Sequence, residues 1–148
     1  MKYISDSAAE TEMLGRQLGN ALPEGSVIAL FGDLGVGKTC FTRGFAEGMG
    51  IESDVYSPTF ALVNEYRGSG KTLYHFDMYR ITGFEDLYST GYFDYLDSGA
   101  TLIIEWSENI ESVLPDDCIR ITISKSETDE NERIIEIIGC DDIENIIG

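Results

Sequence analysis

The stretch "SVIALFGDLGVGKTCFTRGF", Ser26 to Phe45, decides how this chain is read. Its first six residues form a short apolar run suited to a buried strand, and "KTCFTRGFAEGMG" after it reads as a helix closed by glycine. Between them Gly32, Gly37, Lys38 and Thr39 meet the spacing G-x-x-x-x-G-K-[ST]. Glycines there let the backbone turn with positive φ and approach an oxygen with no Cβ in the way. The amides of Asp33, Leu34, Gly35, Val36, Gly37, Lys38, Thr39 and Cys40 then line a nest at a helix N-terminus, where the macrodipole favours an anion. Lys38 is placed to reach the β- and γ-phosphates of a nucleotide, and the Thr39 hydroxyl to take one position on Mg²⁺. The strand before and the helix after supply the context this motif needs, so a glycine-rich turn that binds nothing is the poorer reading.

Phosphate chemistry at such a loop needs an acidic residue at a neighbouring strand end to hold the hydrated metal. Asp77 ends "TLYHFD" and Glu105 ends "TLIIE", each after an apolar run. Open α/β sheets place their ligand at the carboxyl ends of strands, so both acids are candidate metal and catalytic groups. An N-K-x-D element and a D-x-x-G switch are absent, since Met78, Tyr79 and Arg80 follow Asp77. ATP is therefore expected rather than GTP. Six arginines and no lid-like insertion argue against a kinase that clamps a small acceptor. A small-molecule phosphotransferase and a nucleotide-gated binding module without turnover stay open as alternatives to an ATPase.

Around this centre, "SAAETEMLGRQLGNALP" opens with Ser7 and Glu10 at capping-box spacing. Leu14, Leu18, Ala21 and Leu22 share one helical face, and Pro23 stops the helix. "FALVNEYR" and "KTLYHF" flank Gly68-Ser69-Gly70 as a hairpin; "TLIIEW", "CIRITIS" and "RIIEIIG" are further strands. Strands and helices alternate early and strands pair late. The expected fold is a three-layer α/β phosphate-loop domain spanning 1–148, with a mixed, centrally parallel sheet and antiparallel edge hairpins.

The formal charge of −17 limits partners more than fold. Ten Lys and Arg, scattered singly, make no basic stripe, so direct nucleic-acid binding is not expected. No apolar run approaches the ~20 residues that span a bilayer. The first residues, "MKYISDSAAETEM", carry no export pattern, and Cys40, Cys118 and Cys140 read as reduced thiols, so a cytoplasmic protein is expected.

Four motifs in order, "GDLGVGKTCFTRGF", "SPTF" (Ser57–Phe60), "YHFDMYR" (Tyr74–Arg80) and "LIIEW" (Leu102–Trp106), resemble the TsaE (YjeE) family. The resemblance implies an ATPase subunit of tRNA threonylcarbamoyladenosine synthesis, using ATP and Mg²⁺ and acting on the TsaB–TsaD pair, with hydrolysis resetting that complex between turnovers. It implies that Thr59 senses the metal or γ-phosphate, that Asp77 is the Walker-B acid and that Glu105 binds metal or orients water. It also places Trp106 beside the nucleotide and Thr11 near the adenine; Arg133, opening the last strand, is a further candidate nucleotide contact. His75, the only histidine, reads as a hydrogen-bonded structural residue beside the site, with a catalytic base as the other reading. Arg80 reads as an arginine finger or as the partner of a nearby carboxylate. Residues 74–95 hold eight of the sixteen aromatics, which suggests a docking surface including Tyr92 and Phe93.

Overall fold

The computed structural model describes residues 1–33, 35–52, 54–56, 58 and 62–147. Thirteen short elements follow one another: β1 (Lys2–Ser5), α1 (Ala8–Ala21), β2 (Val27–Phe31), α2 (Lys38–Gly48), β3 (Val63–Gly68), β4 (Lys71–Asp77), α3 (Phe84–Ser89), α4 (Tyr92–Leu96), β5 (Thr101–Glu105), a 3₁₀ segment (Ser107–Val113), β6 (Ile119–Lys125), β7 (Arg133–Ile138) and α5 (Ile143–Ile147). The strands form one sheet in the order β1-β7-β6-β2-β5-β4-β3. β6, β2, β5 and β4 run parallel in the centre, while β3 and the β7–β1 pair are antiparallel edges. The expected α/β architecture is the observed one.

Each face of the sheet buries its own core. Ile28, Leu30, Leu73, Ile103 and Ile121 pack under α1 and α2 with Leu14, Leu18, Phe41 and Phe45. Ala29, Phe76, Leu102 and Ile104 point the other way, onto Leu87, Tyr92 and Ile110. β5 is buried along its whole length, so its run of apolar residues without alternation is what a central parallel strand requires.

Ser7 caps α1 by accepting from the Glu10 amide, and the Glu10 carboxylate accepts in return from the Asp6 amide, one residue earlier than a standard box. The apolar face of α1 differs from expectation, because Ala21 is exposed and Gly15 and Gly19 are buried instead. The cause is the approach of α2. A Cβ at Gly19 would lie 2.1 Å from the Phe45 carbonyl oxygen, and one at Gly44 would lie 1.9 Å from that of Glu12. The two helices touch backbone to backbone.

The strands differ from expectation at some of their ends. β3 begins at Val63, because Leu62 turns with φ 62°; Phe60 and Ala61 lie outside the described residues. β5 ends at Glu105, because Trp106 adopts φ 58° and ψ 41°. At the β3–β4 turn Ser69 (φ 51°) and Gly70 (φ 76°) are both left-handed, the backbone of a two-residue hairpin loop. β1, α3, α4 and α5 are elements the sequence patterns did not reveal.

Candidate functional site

The parallel strands bring their carboxyl ends to one edge of the sheet. β2 leads into the glycine loop, and Asp77 and Glu105 sit side by side in register at the ends of β4 and β5. Gly35 (φ 76°) and Gly37 (φ 111°) turn the loop back onto α2, with Gly37 as its N-cap. The helical ladder starts where the Phe41 amide donates to the Gly37 carbonyl at 2.9 Å. The amides of Lys38, Thr39 and Cys40 thus stand outside that ladder, at the positive end of the helix.

A cleft of about 370 Å³ lies here, walled by Gly35, Gly37, Lys38, Thr39, Cys40, Asp77, Glu105 and Trp106. A second, of about 470 Å³, opens on the other side of the loop, between Gly35–Gly37, Cys40, Ser7, Thr11, Asn131 and Arg133. Sharing Gly35, Gly37 and Cys40, they make one groove that straddles the phosphate loop. A larger cleft of about 860 Å³, lined among others by Arg16, Arg43, Asp54 and Tyr56, lies away from it and contains none of the strand-end acids.

Lys38 is buried, its ammonium donating to the Gly32 carbonyl at 2.5 Å and resting 3.8 Å above the Trp106 ring. Burial pushes its pKa below the ordinary lysine value, against the opposing pull of Glu105, Glu108, Asp77 and Asp33. Glu105 is 4% exposed. Its Oε2 accepts from His75 Nε2 at 2.6 Å, and its Oε1 stands 3.5 Å from the Thr39 hydroxyl. Burial raises the Asp77 carboxyl above its usual range, while the Tyr79 amide donating to Oδ1 at 2.9 Å works the other way. Asn109 fixes that turn by donating to the Met78 and Tyr79 carbonyls.

On the other side of the loop, Thr11 is buried and its hydroxyl meets Ser5 Oγ at 2.7 Å. The Cys40 thiol donates to the Ala8 carbonyl at 3.1 Å. Arg133 donates through Nε to Val36 O at 3.1 Å, so its guanidinium braces the phosphate loop from the last strand. Asp33 is exposed at the lip of the loop, and Val36 is buried beneath it. Of the residues singled out from sequence, the structure gathers Thr11, Asp33, Gly35, Val36, Gly37, Lys38, Thr39, Cys40, Asp77, Glu105, Trp106 and Arg133 around this groove. Leu34 and Thr59, with Ser57 and Phe60 of "SPTF", lie outside the described residues.

His75 is wholly buried and hydrogen-bonded at both ring nitrogens. Arg80 pairs with no carboxylate among the described residues and instead lines a small cleft with Pro58, Leu62 and Asp77. Tyr92 is not a surface residue: it is fully buried, its hydroxyl donating to the Val113 carbonyl at 3.1 Å. The exposed rings of that segment are Tyr79, Phe84 and Tyr88. Residues that sequence reasoning passed over are Ser5, Tyr66, Glu108 and Asn109. Glu108 accepts from the Gly32 amide at 3.1 Å. None carries a spacing signal; they support the site through tertiary contacts alone.

The groups present suit a magnesium nucleotide. Thr39 Oγ1, Asp77 and Glu105 offer hard oxygen ligands, and a Cβ added at Gly35 would project into open space beside the loop. Among the described residues no three His, Cys, Asp or Glu side chains form a ready-made metal cage. Magnesium held by one or two carboxylates together with phosphate oxygens needs none.

Residues 5–135 match the family model for threonylcarbamoyl adenosine biosynthesis protein TsaE. The tRNA threonylcarbamoyladenosine biosynthesis protein TsaE of Treponema pallidum is 41% identical over 123 residues, 83% of this chain and 90% of that protein. The Bacillus subtilis protein of the same name is 37% identical over 140 residues, 94% of this chain and 87% of its own length. The crystal structure of YdiB from Bacillus subtilis superposes with a TM-score of 0.77 at 31% identity, covering 99% of this chain and 90% of that one. With the phosphate loop, the strand-end acids and the sheet order all in place, the chain belongs to the TsaE family of threonylcarbamoyl adenosine biosynthesis proteins.

Proposed function

We propose that this chain is a Mg²⁺-dependent ATPase subunit, a single phosphate-loop domain of the cytoplasm that supports threonylcarbamoyladenosine modification of tRNA by cycling a TsaB–TsaD complex. The observation that carries the reading is the meeting of Lys38, Thr39, Asp77 and Glu105 in one cleft at the helix N-terminus. The amides at the start of α2 and the Lys38 ammonium bind the β- and γ-phosphate oxygens. Thr39, Asp77 and Glu105 would hold magnesium, which when bound would neutralise charge on the phosphoryl oxygens. Glu105, buried and hydrogen-bonded to His75, orients the attacking water. The groove between Thr11, Cys40 and Arg133 takes the nucleoside, and Trp106 flanks the phosphates. Thr59 is assigned to sensing the γ-phosphate on its motif alone.

The acidity fits a subunit that touches protein rather than tRNA, so no direct nucleic-acid contact is assigned. Phosphate release by the isolated chain, with and without TsaB–TsaD, tests the reading. Slow release alone and strong stimulation by the pair is the expected result. ATP bound without release even in the presence of the pair would make this a nucleotide-gated binding module. Transfer of phosphate to a small acceptor would make it a phosphotransferase.

A further inference from the structure

A chain of buried polar side chains runs from Glu105 back through the sheet to an exposed loop. His75, on β4, is wholly buried and donates from Nε2 to Glu105 Oε2 at 2.6 Å. With Glu105 as a carboxylate, that oxygen can only accept, so the shared proton belongs to the imidazole. On the far side of the ring, Nδ1 meets the Tyr66 hydroxyl of β3 at 3.2 Å. Tyr66 is 4% exposed. Its hydroxyl also contacts the Tyr56 carbonyl at 3.1 Å, and the Asn64 amide donates to that carbonyl at 3.0 Å and to the hydroxyl at 3.2 Å.

We infer that His75 is a positioning residue for Glu105, and that Tyr66 and Asn64 tie the orientation of that carboxylate to the backbone at Tyr56. The inference deepens the ATPase reading and rests on it. A glutamate carboxylate turns easily about its last torsion, whose energy profile is broad and two-fold. Occupying Oε2 leaves Oε1 as the oxygen that faces Thr39, the side on which metal and water are handled. Without the imidazole, Glu105 would be a buried acid free to swing, and one left without its strongest partner. The imidazole in turn cannot rotate while the Tyr66 hydroxyl holds Nδ1. Tyr56 lies two residues before Pro58, at the edge of the large cleft that Arg43 and Asp54 also line. The backbone at Tyr56 is thus linked to Glu105 through two side chains, Tyr66 and His75.

Because His75 is the only histidine, its ring nitrogens can be observed by NMR in the intact chain with labelled histidine. A far-downfield Nε2 proton is expected, lost or moved in Glu105→Gln; in Tyr66→Phe the Nδ1 signal moves. An Nε2 signal indifferent to Glu105→Gln overturns the proposal. In turnover, His75→Leu should lower kcat by about 10- to 100-fold, the usual cost of losing a group that orients a ligand. Affinity for a fluorescent ATP analogue should stay within about threefold, the mark of an interaction used in the transition state and not in binding. His75→Gln keeps a donor near the ε position and should recover most of kcat. Equal losses in His75→Leu and His75→Gln, or affinity falling with kcat, would mean a merely structural histidine. The spectrum decides even where His75→Leu does not fold. A parent chain that releases no phosphate sinks the ATPase reading alone, since the histidine signals still report the pairing.

Discussion

Lys38 and Asp77 are each held in surroundings that folding alone would not select. Lys38 is an ammonium drawn into the protein beneath an aromatic ring, its pKa lowered mainly by desolvation. Removing it in Lys38→Ala should weaken ATP binding by about 10- to 100-fold, the worth of one charge-assisted hydrogen bond at about 1.5–3 kcal/mol, as titration calorimetry would record. Glu105→Ala should instead keep part of the affinity and lose at least about 100-fold in phosphate release. Asp77 gives a prediction about stability. Burial raises its folded pKa above the unfolded value, so between the two the native state binds more protons. Stability then falls as pH rises through that window, and the loss is complete once the pH is above the folded pKa. Asp77→Asn, which can still accept from the Tyr79 amide, should melt higher than the parent at pH 7 when no nucleotide is present. The advantage should vanish at pH values below the ordinary carboxylate range, and thermal scans across pH would show it.

At the scale of elements, glycines let α1 and α2 approach backbone to backbone, beside a shared apolar core and the Arg16–Glu47 ion pair. Gly44→Ala puts a methyl group 1.9 Å from a backbone oxygen, which only a shift of the helices can relieve. The substitution should cost at least about 2 kcal/mol. In a domain of this size that is a Tm drop of roughly 4–8 °C, measurable by circular dichroism. The same packing explains where the sequence misled. An apolar stripe through Ala21 and Leu22 is what helical periodicity selects, yet the helix buries Gly15 and Gly19, which periodicity scores as neutral. The phosphate loop, its strand and its helix were legible because the motif fixes backbone geometry. Asp77 and Glu105 were legible because each ends an apolar strand. β1 was hidden because "KYIS" is too short to alternate convincingly and depends on pairing with β7. Tyr92 was mistaken for surface because aromatic density cannot distinguish a core ring from an exposed one. His75, Tyr66 and Asn64 meet only through the register of β3 against β4, which pairs Asn64 with His75 and is absent from any local pattern.

The whole molecule carries 27 acids against ten Lys and Arg, and that excess acts on both stability and association. Self-repulsion should be relieved by salt, so Tm should rise as ionic strength goes from about 0.01 to 0.15 M and the Debye length shrinks from about 30 to about 8 Å. Phe84 and Tyr88, 65% and 67% exposed with ring centroids 6.1 Å apart, are, together with Tyr79, the exposed aromatic surface of residues 74–95 once Tyr92 is assigned to the core. Changing both to Ser should weaken association with TsaB–TsaD in a pull-down or calorimetric assay while leaving ATP affinity as it was; unchanged association would clear this face of the role. The groove itself can be watched directly, because Trp106 is the only tryptophan and lies against Lys38. Titrating Mg²⁺-ATP into the isolated chain should produce a saturable change in tryptophan fluorescence that Lys38→Ala moves to about 10- to 100-fold higher nucleotide concentration. An emission that never responds, or one that responds equally in parent and Lys38→Ala, would contradict a nucleotide site at this loop.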